Sequence, residues 1–318
     1  MLADGGIRRC AANGQLTGKE IGLPAPVLLA ALSSDSRFLA VAHGKPAKLT
    51  MLSANGLRTL KSLDLRDLAK RPLEPAQLVD AAPRKSIVAI MRDGLEAWEI
   101  LYDANAPPVF DGYVHDYRSG EGIAATGPFP VRRIALERPI GPALFDPAFD
   151  HLIATEGRER LAVINLNVRR VIAHIVVAAQ HLPQAGASWR DAGGSHYAIP
   201  AADDSIALIE SLTWKVERRT ATPAPAAGVK HDASTGTLWL WYGDDRVKSR
   251  IDVLSARDLA PIATLIAPQG ESVTGLRIDR DAQITVLTGN GRGYLYDAGT
   301  RQRVEDVIDA PQDCGAAR

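Results

Sequence analysis

The chain has 318 residues, 46% hydrophobic and 23% charged, which is material for one large β architecture or about two domains. Lysine plus arginine equals aspartate plus glutamate at 37 each, so no global field draws the chain to nucleic acid or an anionic membrane. Cys10 and Cys314 are the only cysteines and CxxCH is absent, which excludes a disulfide framework, an all-thiolate metal site, an iron–sulfur cluster and covalent c-type haem.

The elements predicted in chain order are strands. GGIRRCAANGQLTGKEI, from Gly5, reads as the second half of a four-strand sheet with Asn13-Gly14 at its turn. Val27–Asp35 reads as the first strand of the next sheet, whose other three fall in FLAVAHGKPAKLTMLSANGLRTLKSLDL from Phe38. Leu63–Lys70 is expected to form a short helix or a polar connection. SIVAIMRDGLEAWEILYDANAPPVFDGYVHDY, from Ser86, repeats the theme. Four further repeats start at His151, His196, Thr237 and Gln283, spaced 45, 41 and 46 residues apart. That is the spacing of propeller blades.

Asp203-Asp204, Asp244-Asp245, Asn290-Gly291 and Arg92-Asp93-Gly94 separate the β-rich runs, as residues that tolerate positive φ should. The expected fold is therefore all-β, a single β-propeller over residues 1–318 with seven to eight blades and the first incomplete. An array of β-sandwiches is the competitor, disfavoured because the blade lengths are so similar.

No GxSxG, HExxH, Walker or EF-hand pattern is present. GNGRG at Gly289–Gly293 sits between two strands, where a hairpin turn explains it better than a phosphate loop that must open a helix. The Asp pairs are explained as turns, and the five tryptophans as blade packing.

Seven histidines are scattered at His43, His115, His151, His174, His181, His196 and His231, with no metal-ligand spacing among them. His151 and His196 open equivalent strands and read as structural, and His174 reads as a satisfied strand residue. His181 and His231 lie in segments leading into blades, where a propeller builds its central face.

MLADGGIRRC carries Asp4 and no following apolar run, so it does not read as a secretory signal. The apolar stretches Leu23–Leu32 and Val171–Ala179 are too short to span a bilayer.

Two longer stretches carry a family resemblance. EAWEILYDANAPPVFDGYVHDYRSGEGI (Glu96–Ile123) and FPVRRIALERPIGPALFDPAFDHLIA (Phe129–Ala154) are similar to the d1-haem domain family, in wording and in order. VINLNVRRVIAHIVV, His181-Leu182, SIALIESLTWKV and VKHDASTGTLWLW continue the likeness over nearly the whole chain. This is the eight-bladed propeller of cytochrome cd1 nitrite reductases and of a related protein used in making d1 haem.

The resemblance implies eight blades, a periplasmic location and a d1-type haem or related tetrapyrrole as cofactor. It implies that His181 binds that cofactor as a ligand to its iron, because QHLPQAGASW matches the family's PH(L/P)G-like segment. The family's proximal histidine would fall before Met1, and its second distal histidine near Ile140–Asp150, where GPALFDPAFD has none. His231 matches a histidine of the family pattern with no assigned role. No catalytic residue is singled out, and nitrite reduction by this chain alone is not expected.

The expected partners are a tetrapyrrole, a c-type cytochrome or another protein, with neither nucleic acid nor membrane insertion. A haem-free propeller serving as a protein-interaction scaffold is the alternative. A propeller hydrolase or lyase ranks last for want of a convergent nucleophile or metal set. Pairing of Cys10 with Cys314 is conceivable, but two unpaired thiols are the preferred reading.

Overall fold

The computed structural model describes residues 6–10, 16–22, 26–44, 46–67, 69–106, 109, 127–178, 185–278 and 282–309. The described chain is all strand apart from two single-turn 3₁₀ segments. β1 (Gly6–Cys10) and β2 (Leu16–Gly22) form an antiparallel pair. β3 (Val27–Leu32), β4 (Phe38–His43), β5 (Lys48–Ser53) and β6 (Thr59–Asp64) form the first four-stranded sheet, in chain order. β7 (Glu74–Ala81), β8 (Ser86–Arg92), β9 (Glu96–Leu101) and β10 (Val131–Ala135) form the second.

The third sheet is β11 (Ala143–Phe145), β12 (His151–Glu156), β13 (Arg160–Asn165) and β14 (Arg170–Val176). The fourth is β15 (Ala187–Asp191), β16 (Gly194–Ala201), β17 (Ser205–Glu210) and β18 (Lys215–Ala221). The fifth is β19 (Ala226–Asp232), β20 (Thr237–Tyr242), β21 (Arg250–Ser255) and β22 (Pro261–Ile266). The sixth is β23 (Val273–Ile278), β24 (Gln283–Thr288), β25 (Arg292–Asp297) and β26 (Arg303–Asp309).

Each four-stranded sheet is an antiparallel meander with neighbours in chain order, and the fold class is that of the β-propeller. Six complete sheets and one two-stranded pair are described; the seventh and eighth blades remain expectations from the sequence.

The strands alternate in character for a physical reason. A middle strand of each sheet is covered on both faces, so it reads as an unbroken apolar run. All six residues of TLWLWY in β20 are buried, as are all but the last of SIVAIMR in β8. Outer strands are covered on one face only. KVERRTA in β18 therefore alternates exposed cations and carboxylates with half-buried Val216 and Thr220, and its charges blunt an open sheet edge.

The turns behave as their residues dictate. Asp93 and Asp204 take φ of 53° and Gly291 takes 79°. The Asn290 carboxamide oxygen accepts the Arg292 N–H at 3.1 Å, so GNGRG is a hairpin turn. Asp203 accepts hydrogen bonds from Ser205 and Arg219 at 2.6 and 2.7 Å, and Asp245 pairs with Lys248 at 3.1 Å, so both Asp pairs serve turns.

One detail differs from the sequence reading. The repeat from Ser86 does not run straight on through Asn105–Tyr117; its last strand is β10, which pairs with β9 only from Val131. Of the two forms expected for Leu63–Lys70, the described residues after β6 form the connection, closed by a bridge between Arg66 and Pro72.

The chain divides into two compact units, one built on β1–β10 and the other on most of β11–β26. In the first, Leu49 and Met51 pack with Ile87, Ala89, Met91 and Trp98. In the second, Ala187, Trp189, Ala198 and Leu208 pack with Val229, Leu238 and Leu240, and the opposite face of β20 packs Trp239 and Trp241 with Val273, Ile284 and Tyr294. Alternate residues of one strand thus bind the sheets before and after it. The first strands of successive sheets touch in each unit, β3 with β7, and β11 with β15, β15 with β19, and β19 with β23.

Candidate functional site

β19 carries His231, one of the two histidines singled out in segments that lead into blades, and β15 lies against it. Val229 N–H donates to the Ala185 carbonyl at 3.0 Å, which sets β19 against the start of β15. His181 itself lies outside the described residues, in the segment that leads into Ala185. His115 and Cys314 also lie outside them, so the Cys10–Cys314 question does too.

Period-2 alternation puts Trp189 and His196 on the face of their sheet that meets the fifth sheet, since Trp189 is the cross-strand partner of His196. His231 points back at them from β19, beside Val229 and opposite Leu238. The His231 imidazole stacks on the Trp189 indole with centroids 4.6 Å apart and planes 13° apart. His196 also stacks with Trp189, at 5.5 Å and 20°. Its Nε2 lies 3.0 Å from Asp191 Oδ1. Trp189 is buried, His231 half-buried and Asp191 exposed.

The electrostatics follow from this packing. Burial pushes the His231 pKa below the ordinary imidazole range; the Asp232 and Asp191 carboxylates oppose that shift, and His196 adds to it. The His196 hydrogen bond and the Gly193 amide hold the Asp191 carboxyl below the usual carboxylate range. Asp232 accepts from Ser234 and Thr235 hydroxyls, which cap the β19–β20 turn. Among the described residues no hydrogen bond reaches either ring nitrogen of His231.

The other described histidines make packing or polar contacts within their own sheets or with their neighbours. His43 is buried and shares a hydrogen bond with Thr50 at 3.1 Å. His174, on outer strand β14, lies 3.3 Å from the Glu156 carboxylate. His151 lies 3.7 Å from Asp146 and packs at a tilt against Trp214, with centroids 5.0 Å apart. Ser195 also reaches Asp146, at 3.5 Å. Here the carboxylate stands between serine and histidine. A nucleophilic triad needs the imidazole in the middle, so this trio is a buried structural network.

Sequence reading assigned the tryptophans to packing and missed that Trp189 joins two histidines. The one available signal was the placement of Trp189, His196 and His231 near the turn ends of adjacent first and second strands. Which faces they share depends on strand register, which a bulge between Ala226 and Gly228 alters in β19.

An iron tetrapyrrole needs one neutral imidazole as axial ligand, whereas a bare metal ion needs several converging donors. Among the described residues no group of three or more His, Cys, Asp or Glu side chains converges.

No family model matches the chain. It is 23% identical over 281 residues to dihydro-heme d1 dehydrogenase of Pseudomonas aeruginosa, covering 86% of this chain and 52% of the relative. The solved structure of dihydro-heme d1 dehydrogenase NirN in complex with DHE superposes with a TM-score of 0.75 at 20% identity, covering 95% of this chain and 63% of that one. Saccharomyces cerevisiae Sqt1 shares the fold at a TM-score of 0.66 and 11% identity, over 92% of this chain and 76% of its own. The chain thus spans about half the length of its curated relative. No described helix is long and apolar enough to cross a membrane. Along most of its sequence and in its fold, the chain is d1-haem-domain-like.

Proposed function

We propose that this chain is a propeller that binds d1 haem or a close tetrapyrrole precursor, acting in d1-haem maturation or in electron transfer linked to nitrite metabolism. The observation that carries this reading is the similarity, along 86% of the chain, to a protein whose substrate is named as dihydro-heme d1. Maturation is the better supported of the two roles for that reason.

In this reading the His181 imidazole holds the iron through a neutral ring nitrogen. The bound group would supply the redox chemistry. The chain's own part is to present that imidazole, orient the macrocycle and limit its contact with water. Ala187, Ala198 and Val229 pack behind β15, the strand that follows His181 in the sequence. A periplasmic location and a c-type cytochrome as redox partner belong to the same proposal.

The test is a titration of the full chain with d1 haem and with its dihydro precursor, followed in the Soret region. A saturable shift that weakens at least tenfold in His181→Ala is expected. An unchanged spectrum at high protein concentration would overturn the reading and leave the haem-free scaffold.

A further inference from the structure

The stack in the second unit has features that packing alone does not require. Trp189 is flanked by two imidazoles, from β16 and β19, so the contact between the fourth and fifth sheets at this end runs through two titratable rings. An aliphatic pair would fill the same space without charge.

We propose that His231, Trp189 and His196 form a pH-sensitive latch between the fourth and fifth sheets, closed while His231 is neutral and loosened when both imidazoles are charged.

The groups facing His231 decide the direction. From β15 come the Trp189 indole and the Asp191 carboxylate, with exposed Arg190 beside it. From β16 comes His196. On its own strand stand exposed Lys230 and buried Asp232. Both carboxylates near this ring already accept hydrogen bonds from other groups. Asp191 binds His196 and the Gly193 amide. Asp232 binds Ser234 and Thr235.

A proton on His231 therefore arrives at a half-buried position beside a second imidazole, where the Asp191 and Asp232 carboxylates oppose the cost of burial without cancelling it. Moving the ring toward water relieves that charge, and doing so breaks the flat contact with Trp189. Burial already places the titration of His231 below the ordinary imidazole range, so the latch is closed at neutral pH. The strand it releases is β19, whose Val229 is bonded to Ala185 at the entry to β15.

The inference stands apart from tetrapyrrole binding, and its test uses the chain without added ligand. Amide hydrogen exchange, corrected for intrinsic rates, is measured from pH 7.5 to pH 5 in the full chain. Protection of β15 and β19 amides, including Val229, should fall by up to about tenfold for each pH unit as pH drops from the ordinary imidazole value toward the lower His231 titration point and level off below it, while β8 and β9 stay protected. His231→Phe keeps the ring stack and should abolish the pH dependence. His196→Gln removes the like charge and should move the midpoint upward. Equal losses in wild type and His231→Phe, no loss in wild type, or an unmoved midpoint in His196→Gln would each overturn the latch. If His231→Phe fails to fold, the His196→Gln midpoint decides alone.

Discussion

Arg84 Nε donates to Glu99 Oε1 at 2.7 Å, and Glu99 is fully buried. Ser86 Oγ adds a bond to the same oxygen at 3.0 Å, and Arg132 stands 3.6 Å from the other. The facing guanidinium groups and the hydroxyl offset the cost of burying this carboxylate. Replacing Glu99 by Gln leaves the Arg84 guanidinium without its counter-charge, and should cost roughly 3 kcal/mol. Chemical denaturation should show a lower midpoint with an unchanged slope. A shift under about 1 kcal/mol would show that the bridge is replaceable.

Gly228 on β19 lies directly under the Trp241 indole, and a Cβ there would collide with the ring. The glycine is required by close approach, not by its backbone angles. Gly228→Ala must push a buried Trp out of the core it shares with Val273 and Ile284. The expected loss is about 2–3 kcal/mol, read by denaturant unfolding and by a red-shifted tryptophan emission. A neutral substitution would mean that the strand can slide to make room.

Asp252 gives the acid limb of stability. Burial raises its carboxyl pKa, but hydrogen bonds from Arg250, Thr264 and Tyr242 outweigh burial and leave it below the ordinary value. A depressed carboxylate stabilises the fold above the unfolded value of about 4 and loses that contribution as pH falls through its folded value. Thermal unfolding followed from pH 6 to pH 2 should therefore fall most steeply below about pH 4. Asp252→Asn should flatten that limb while lowering stability at pH 7. An unflattened limb would assign the acid sensitivity to other carboxylates.

Tyr197 carries a buried hydroxyl with no hydrogen-bond partner among the described residues. An orphaned hydroxyl costs its desolvation without return, so Tyr197→Phe should be neutral or stabilising by up to about 1 kcal/mol. A loss of more than about 1 kcal/mol in the melting analysis would reveal an internal water bridging it to the nearby polar groups.

Much of this architecture is legible in the chain itself. Unbroken apolar runs such as TLWLWY and SIVAIMR mark strands covered on both faces, and Asn, Asp and Gly mark the turns, because both follow from local backbone preference and a two-residue period. The d1-haem-domain likeness was likewise visible, in order along the chain, before any fold was known. The displaced β10 was not, because pairing β9 with Val131–Ala135 depends on the energy of a closed sheet and not on neighbours in sequence. Nor was the meeting of Trp189, His196 and His231, which appear in the chain as one packing residue and two scattered histidines. A side chain's face is set by register, and register is set by the whole sheet and its bulge in β19. The sequence by itself determined that this protein is a set of repeated four-stranded sheets; only tertiary packing decided which rings those sheets would press together.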